Sequence, residues 1–127
     1  MAIFLLSGSP ALASNPPLSE VRPVRDGLIA VGVADEIRKN CPTISARLFR
    51  ALRYLHGLEN HAKKLGYSQD EIDAYVDDKA EEKRLRAIGA DYMRARGVVE
   101  DDAKSYCALG RAEIEKSSQI GALLRAK

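Results

Sequence analysis

Two cysteines have the most distinctive chemistry in this sequence. Cys41 and Cys107 stand 66 positions apart, and no Cys-x-x-Cys pair is present. A thiol in this setting could be a nucleophile, a metal ligand or one half of a disulfide. The residues around Cys107, "KSYCALGRAEIEK", do not decide among these roles. The other reactive side chains and the elements that carry them must do so.

The segment that contains the two histidines is the part of the sequence most similar to a metal-binding motif. The segment "HGLENH" places His56, Glu59 and His61 in a pattern similar to the zinc motif H-x-x-E-H, with one extra residue. Residues five apart on a regular helix point about 140° apart, so His56 and His61 cannot hold the same ion. His56 and Glu59 alone are too few ligands for zinc. We therefore predict no metal site here.

Carboxylates are concentrated between residues 70 and 82, within "SQDEIDAYVDDKAEE". Asp70, Asp73 and Asp77 are spaced for one face of a helix, which would suit calcium binding or acid–base chemistry. The central glycine of an EF-hand loop is absent, however. Asp70 and Glu71 instead suit the positive end of a helix dipole. We interpret the acidic face as solvated, and the sequence predicts no catalytic residue and no cofactor.

Basic residues give two further indications. Arg47, Arg50 and Arg53 stand beside Phe49 and Tyr54, but steps of three residues spread them around a helix. We interpret them as solubilising charge, with a patch for an acidic partner protein as the alternative. The net charge of +2 is too mild to indicate a nucleic-acid partner, which requires a strongly basic face.

The elements that position these residues are helical by periodicity. Predicted helices cover residues 24–40, 45–65, 69–96 with a break near Asp77 and Asp78, and a segment from about 100 to 124. The cleanest amphipathic pattern lies in the second, at Leu48, Leu52, Leu55, Leu58, Ala62 and Leu65. With no tryptophan and no β-type alternation, the predicted fold is all-α, a small bundle or orthogonal array of four to five helices.

Glycine, serine and glutamate residues mark several ends of the predicted helices. Gly66 and Gly97 follow predicted helix ends, and Ser68 with Glu71 forms a capping box. Gly110 lies inside a predicted helix, where glycine is unfavourable. We expect Gly110 to mark the close approach of another helix.

The N-terminus predicts the compartment. "MAIFLLSGSPALAS" has an apolar run and an Ala-x-Ala ending, typical of a secretory signal cleaved after Ala13. The alternative is an apolar tail. We predict a signal remnant over residues 1–13, an extended lead-in over 14–23 and one helical domain over 24–127. The protein is then periplasmic, and the mature chain has no membrane span, because no other apolar run approaches the length of one.

An exported chain with two cysteines favours one disulfide between Cys41 and Cys107. The bridge would join the end of the first helix to the start of the last. Two alternatives stay open at this point. Free buried thiols are expected if the protein is cytosolic, and a reactive Cys107 would need nearby positive charge or a helix N-terminus.

Three stretches carry a resemblance to a known family: "PPLSEVRPVRDGLIAVGVADEI", "GYSQDEIDAYVDDKAEEKRL" and "YCALGRAEIEKSSQIGALLR". They resemble a domain-of-unknown-function family of short exported alphaproteobacterial proteins, over roughly residues 17–125. The resemblance implies a small helical domain with two cysteines and no assigned activity. It also implies an accessory role beside an envelope or respiratory complex.

The function predicted from these observations is non-enzymatic. We expect a periplasmic binding or accessory module for another protein or membrane complex, of undetermined oligomeric state. The alternative is a small disulfide-bonded stress chaperone that opens in acid. An enzyme is the least favoured class, because no catalytic constellation is recognisable.

Overall fold

A computed structural model describes residues 15–127, so the predicted signal remnant at 1–13 lies outside the described residues. Residues 15–127 are 73% helical, which confirms the all-α prediction. Its elements, after a 3₁₀ turn at Leu18–Glu20, are α1 (Arg22–Asn40), β1 (Ile44–Ala46), α2 (Leu48–Lys64), α3 (Gln69–Asp77), α4 (Lys79–Ala95), α5 (Ala103–Glu115), α6 (Gln119–Ala122) and β2 (Leu124–Ala126).

Helix α1 is the centre of the fold. It begins at Arg22, two residues earlier than predicted, with Pro23 in its first turn. The lead-in is therefore not extended throughout, since the 3₁₀ turn precedes α1. Val33 and Ile37 are almost completely buried, and α1 contacts α2, α4, α5 and α6. The core is thus built around one helix that the others surround.

Local capping determines where the middle helices begin and end. Gly66 follows α2 with a φ of +101°, a conformation that favours glycine. The capping box of Ser68 and Glu71 is present at the start of α3. Helix α3 ends before Asp78, which caps the start of α4. The Asp78 carboxylate accepts hydrogen bonds from the amides of Ala80 and Glu81, at 3.0 and 3.1 Å. The predicted break near Asp77 and Asp78 is confirmed.

Two predicted boundaries are wrong because a small sheet was missed. Residues 44–46 form β1 instead of the first turn of α2, and they pair antiparallel with β2. The predicted single helix after residue 100 also ends early, at Glu115. Ser117 has a φ of +52°, and the chain turns there into α6 and β2. Strands of three residues carry too little alternation to be recognised in a sequence.

A disulfide joins Cys41, at the C-terminal end of α1, to Cys107 in α5. Both cysteines are buried, and the two Cα atoms are 5.2 Å apart. Gly110 lies one turn further along α5. A Cβ atom there would come within 2.4 Å of Ile44 Cδ1 and 2.8 Å of Ile37 Cγ2, so the predicted close packing at Gly110 is confirmed.

Candidate functional site

The apolar stripe of α2 is only partly covered by the rest of the protein. An amphipathic helix normally buries its apolar face. In α2, Ala62 is buried, but Leu48 is 63% exposed and Leu52 is 50% exposed. The most regular amphipathic pattern in the sequence therefore presents its N-terminal half to solvent. Exposed apolar surface of this kind marks interaction sites.

These leucines form one wall of a groove with a volume of about 1360 Å³. Its floor is α1, and its second wall is α4, while Val76 and Val99 extend the apolar lining at 59% exposure each. Residues that line the groove include Leu28, Val31 and Gly32 from α1, Leu48, Leu52 and Leu55 from α2, and Leu85, Ala90 and Met93 from α4. We call this feature the α1 groove.

Gly32 lies on the floor of the α1 groove without a packing reason inside the described chain. Apart from its chain neighbours and the nearby backbone of its own helix, a Cβ atom at Gly32 would meet no heavy atom within 4 Å among residues 15–127. Glycine inside a helix costs about 1 kcal/mol relative to alanine. A glycine on an open floor does, however, let a second backbone approach α1 closely. A Cβ atom at Gly57, on α2 and outside the groove, would likewise meet no neighbouring side chain. Gly57 is therefore the matched control position for substitutions at Gly32.

Two carboxylates that line the groove, Asp35 and Glu82, have basic partners, whereas Glu36 and Glu100 line it without an ion pair among residues 15–127. Asp35 forms ion pairs with Arg38 at 2.7 Å and Lys39 at 2.8 Å. Glu82 pairs with Arg86 at 2.8 Å, the i,i+4 arrangement typical of a stabilised helix surface. The charges of Asp35 and Glu82 are therefore offset locally by the basic side chains beside them.

The β1–β2 hairpin, which borders one end of the groove, is basic, and its Lys127 lines the groove itself. Two backbone hydrogen bonds extend the pairing of β1 and β2 beyond the strands. The amide of Arg47 donates to the carbonyl of Leu123 at 2.8 Å, and the amide of Lys127 donates to the carbonyl of Thr43 at 2.9 Å. Arg125 lies opposite Ser45 in the ladder. Because side chains alternate along a strand and align across it, Arg47, Arg125 and Lys127 share one face. Ser45 and Lys127 both line the α1 groove.

Arg50 completes this basic cluster, which we define as Arg47, Arg50, Arg125 and Lys127. Partial burial, together with the like charges of Arg125 and Arg50, lowers the pKa of Arg47. No ion pair among residues 15–127 involves any member of the cluster, and residues 1–14 contain no Asp or Glu. The sequence had suggested that these arginines fan out, but the hairpin gathers two of them with Arg125.

The predicted histidine and acidic motifs lie apart from the groove floor. His56 and His61 are exposed on α2, and Glu59 binds Lys63 at 3.1 Å, which lowers the pKa of Glu59. Asp70, Asp73 and Asp77 are exposed on α3. No group of three His, Cys, Asp or Glu side chains suited to a metal ion occurs within residues 15–127. The structure therefore does not bring these predicted motifs together with the groove.

Glu113 is a buried carboxylate that sequence reasoning missed. It is 0% exposed and accepts hydrogen bonds from the Tyr92 hydroxyl at 2.6 Å and from the Ser118 hydroxyl. Lys116 lies 3.6 Å away. Burial raises the pKa of Glu113, but these hydrogen bonds and the charge of Lys116 outweigh it and hold the pKa below its ordinary value. Closed off from solvent, Glu113 fixes the turn between α5 and α6 and offers no site for a substrate.

Comparison with known proteins identifies the family. Residues 16–125 match a family of unknown function, DUF5333, and the chain belongs to that family. No curated protein and no solved structure matches the chain. The predicted resemblance to a family without an assigned activity is thereby confirmed. Within residues 15–127, the helices are all too short or too polar to cross a bilayer.

Proposed function

We propose that this member of DUF5333 is a non-enzymatic binding or accessory module, and that its α1 groove binds the apolar face of a helix in a partner protein. The observation that carries the proposal is the exposure of Leu48 and Leu52 on a groove whose floor is open at Gly32. Apolar side chains aligned at helical spacing are the usual receptor for an amphipathic helix.

The size of the groove suits such a ligand. An α-helix with its side chains has a diameter of about 10 Å and rises 1.5 Å per residue. Helix α4 lines the groove from Glu81 to Arg94, about 20 Å at 1.5 Å per residue, so a ligand helix of about eleven residues can lie along it. That is three turns, enough to present apolar residues at i, i+3, i+4 and i+7.

The proposed compartment is the periplasm. The disulfide between Cys41 and Cys107 is compatible with an oxidising environment, since such bridges are rare in the cytosol. The Ala-x-Ala ending at Ala13 supports the same compartment. An accessory role beside a membrane complex of the envelope or respiratory chain is consistent with an exported module that binds another protein.

Site-specific photocrosslinking in the native cell tests the groove. A photoreactive residue replaces Leu52 in the groove or, as the control, Leu65, which is exposed on the C-terminal end of α2 outside the groove. We expect a partner to crosslink from position 52 and not from position 65, with the attachment site on the apolar face of a helix.

The substitutions Gly32→Leu and Gly57→Leu provide a second, matched control. Both put the same side chain on an open helix position, but only Gly32→Leu fills the groove. The crosslink from position 52 should disappear with Gly32→Leu and persist with Gly57→Leu. Crosslinks that are the same from both positions, or that survive Gly32→Leu, would refute the proposed function.

A second candidate, an acid-opened chaperone, is favoured by the ion-paired carboxylates. A hydrogen bond from Lys63 lowers the pKa of Glu59, and one from Arg84 lowers the pKa of Glu81. Each ion pair therefore stabilises the folded protein at neutral pH and stops doing so when acid protonates its carboxylate. This function requires tertiary structure to be lost and apolar dye to bind near about pH 2–3. A retained near-ultraviolet circular dichroism signal without dye binding would exclude it.

A further inference from the structure

The charges around the α1 groove are distributed unevenly along its length. Near α4 and the middle of α1, acidic and basic side chains pair with each other. At the β1–β2 end, the basic cluster has no acidic partner within residues 15–127. The hairpin that borders this end of the groove thus carries positive charge that an occupant extending over it can neutralise.

The start of α2 adds to this positive end. Arg47 occupies the N-cap position without a side-chain hydrogen bond, and the first turn of α2 contains no acidic residue. Four of the other helices, α3, α4, α5 and α6, begin with a serine or aspartate that accepts such a bond. The positive end of the α2 dipole therefore reinforces the arginines instead of being offset by a carboxylate.

Two of the arginines are also held in place. Arg47 Nε donates to the carbonyl of Leu124 at 3.0 Å, and Arg50 Nη1 donates to the carbonyl of Ala122 at 3.1 Å. Guanidinium groups fixed by the backbone keep several N–H donors in a set direction. A bidentate contact to a carboxylate then needs little further ordering of the side chain.

Resting on the proposed function, we infer that the basic cluster binds carboxylates at one end of the partner helix and so fixes the direction in which that helix lies in the α1 groove. The occupant is an amphipathic helix with Asp or Glu at the end that lies over the β1–β2 hairpin. Its apolar face contacts Leu48 and Leu52, and its far end lies toward Val76.

Synthetic helical peptides of about eleven residues test this inference. They share one leucine-rich face and carry, at one end, glutamates, lysines or glutamines. We expect the glutamate peptide to bind at least about tenfold more tightly than the lysine peptide at low salt, with glutamine intermediate. The difference should nearly vanish at about 1 M salt, where the Debye length is about 3 Å.

The variant Arg125→Glu lowers the charge of the four-residue cluster from +4 to +2 and should reduce the preference for the glutamate peptide over the lysine peptide severalfold. Arg125 makes no side-chain hydrogen bond or ion pair within residues 15–127 that its loss would break. Lys127→Glu serves the same purpose if the first variant does not fold. Arg53→Glu is the control, because Arg53 is exposed on α2, outside the groove and outside the cluster, and changes the net charge equally. That variant should leave the preference for the glutamate peptide unchanged.

The outcomes separate the inference from the proposed function. Equal affinity for all three peptides, lost with Gly32→Leu, would overturn the inference and leave the groove as a binding site. Binding by none of them would overturn both. Peptide affinities that are equal, with Arg125-dependent binding to phosphatidylglycerol vesicles, would overturn the inference in favour of an anionic membrane surface.

Discussion

At the scale of single residues, Glu113 shows how a charged side chain can lie in the core. Tyr92 and Ser118 donate hydrogen bonds to its two carboxylate oxygens, so both oxygens of the buried charge have partners. No buried side-chain nitrogen or oxygen within residues 15–127 lacks a hydrogen-bond partner. In the sequence, Glu113 stands in "RAEIEKSS", which resembles the solvated faces elsewhere. Only Ser118, five residues on, signals the turn that buries it.

Glu113→Gln is expected to lower the free energy of unfolding by about 1–3 kcal/mol at neutral pH, because the amide replaces a charged acceptor of two buried hydroxyls. The folded-state pKa of Glu113 is below its ordinary value of 4.5, so its stabilising effect is complete above that pH and disappears as the pH falls further. The difference between wild type and variant should therefore shrink in acid.

Urea unfolding followed by circular dichroism, at about pH 7 and about pH 3, measures this difference. Glu115→Gln, at the exposed neighbouring carboxylate, is the control and should leave the stability unchanged at either pH. A loss in Glu113→Gln that stays constant or grows with acid would show that the carboxylate does not stabilise the folded state in the way described.

At the scale of elements, glycines distinguish the covered surfaces of the helices from the open ones. Gly121 in α6 lies against the end of α5, where a Cβ atom would come within 2.0 Å of the carbonyl oxygen of Glu113. Gly32 in α1 faces open space on the floor of the groove. Both are helical glycines in the sequence, and periodicity alone does not separate them.

The two positions should respond to alanine in opposite directions. Gly32→Ala should raise the free energy of unfolding by about 1 kcal/mol, since helix propensity improves and nothing clashes. Gly121→Ala should lower it by about 1–3 kcal/mol, because backbone atoms must move to admit the methyl group. Thermal and urea unfolding of both variants provide the measurement. A destabilised Gly32→Ala would show that something in the free protein covers the groove.

Sequence reasoning works best for elements with strong local signals. The capping box at Ser68 and Glu71, the break beside Asp78 and the close packing at Gly110 follow from local chemistry, and each is present. The β1–β2 hairpin depends on contacts between residues 44–46 and 124–126, so it was missed. The α1 groove was missed for a related reason. The α2 stripe reveals an apolar face but not that neighbouring helices stop short of it.

At the scale of the whole molecule, the disulfide links the central helix to the C-terminal part of the chain. Cys41 ends α1, and Cys107 lies in α5, which is followed by α6 and the β2 strand of the hairpin. A bridge across 66 positions removes much of the freedom of the unfolded chain. The basic cluster includes two residues of the C-terminal segment, so the bridge also helps to position that end of the groove.

The double variant Cys41→Ala and Cys107→Ala is expected to lose up to about 4 kcal/mol of unfolding free energy, a large share of the stability of a small domain. Denaturant unfolding measures the loss. Thiol labelling of protein isolated without reductant should detect no free cysteine. Two labelled thiols in that protein would contradict both the disulfide and the proposed export.

The most direct test of the α1 groove is the affinity of the partner segment that crosslinks from position 52. Calorimetric titration of that segment compares wild type with Gly32→Leu and Gly57→Leu. We predict that Gly32→Leu weakens binding at least about tenfold, equivalent to about 1.4 kcal/mol, while Gly57→Leu binds as wild type does. Equal affinities for all three proteins would contradict the conclusion that the groove is the binding site.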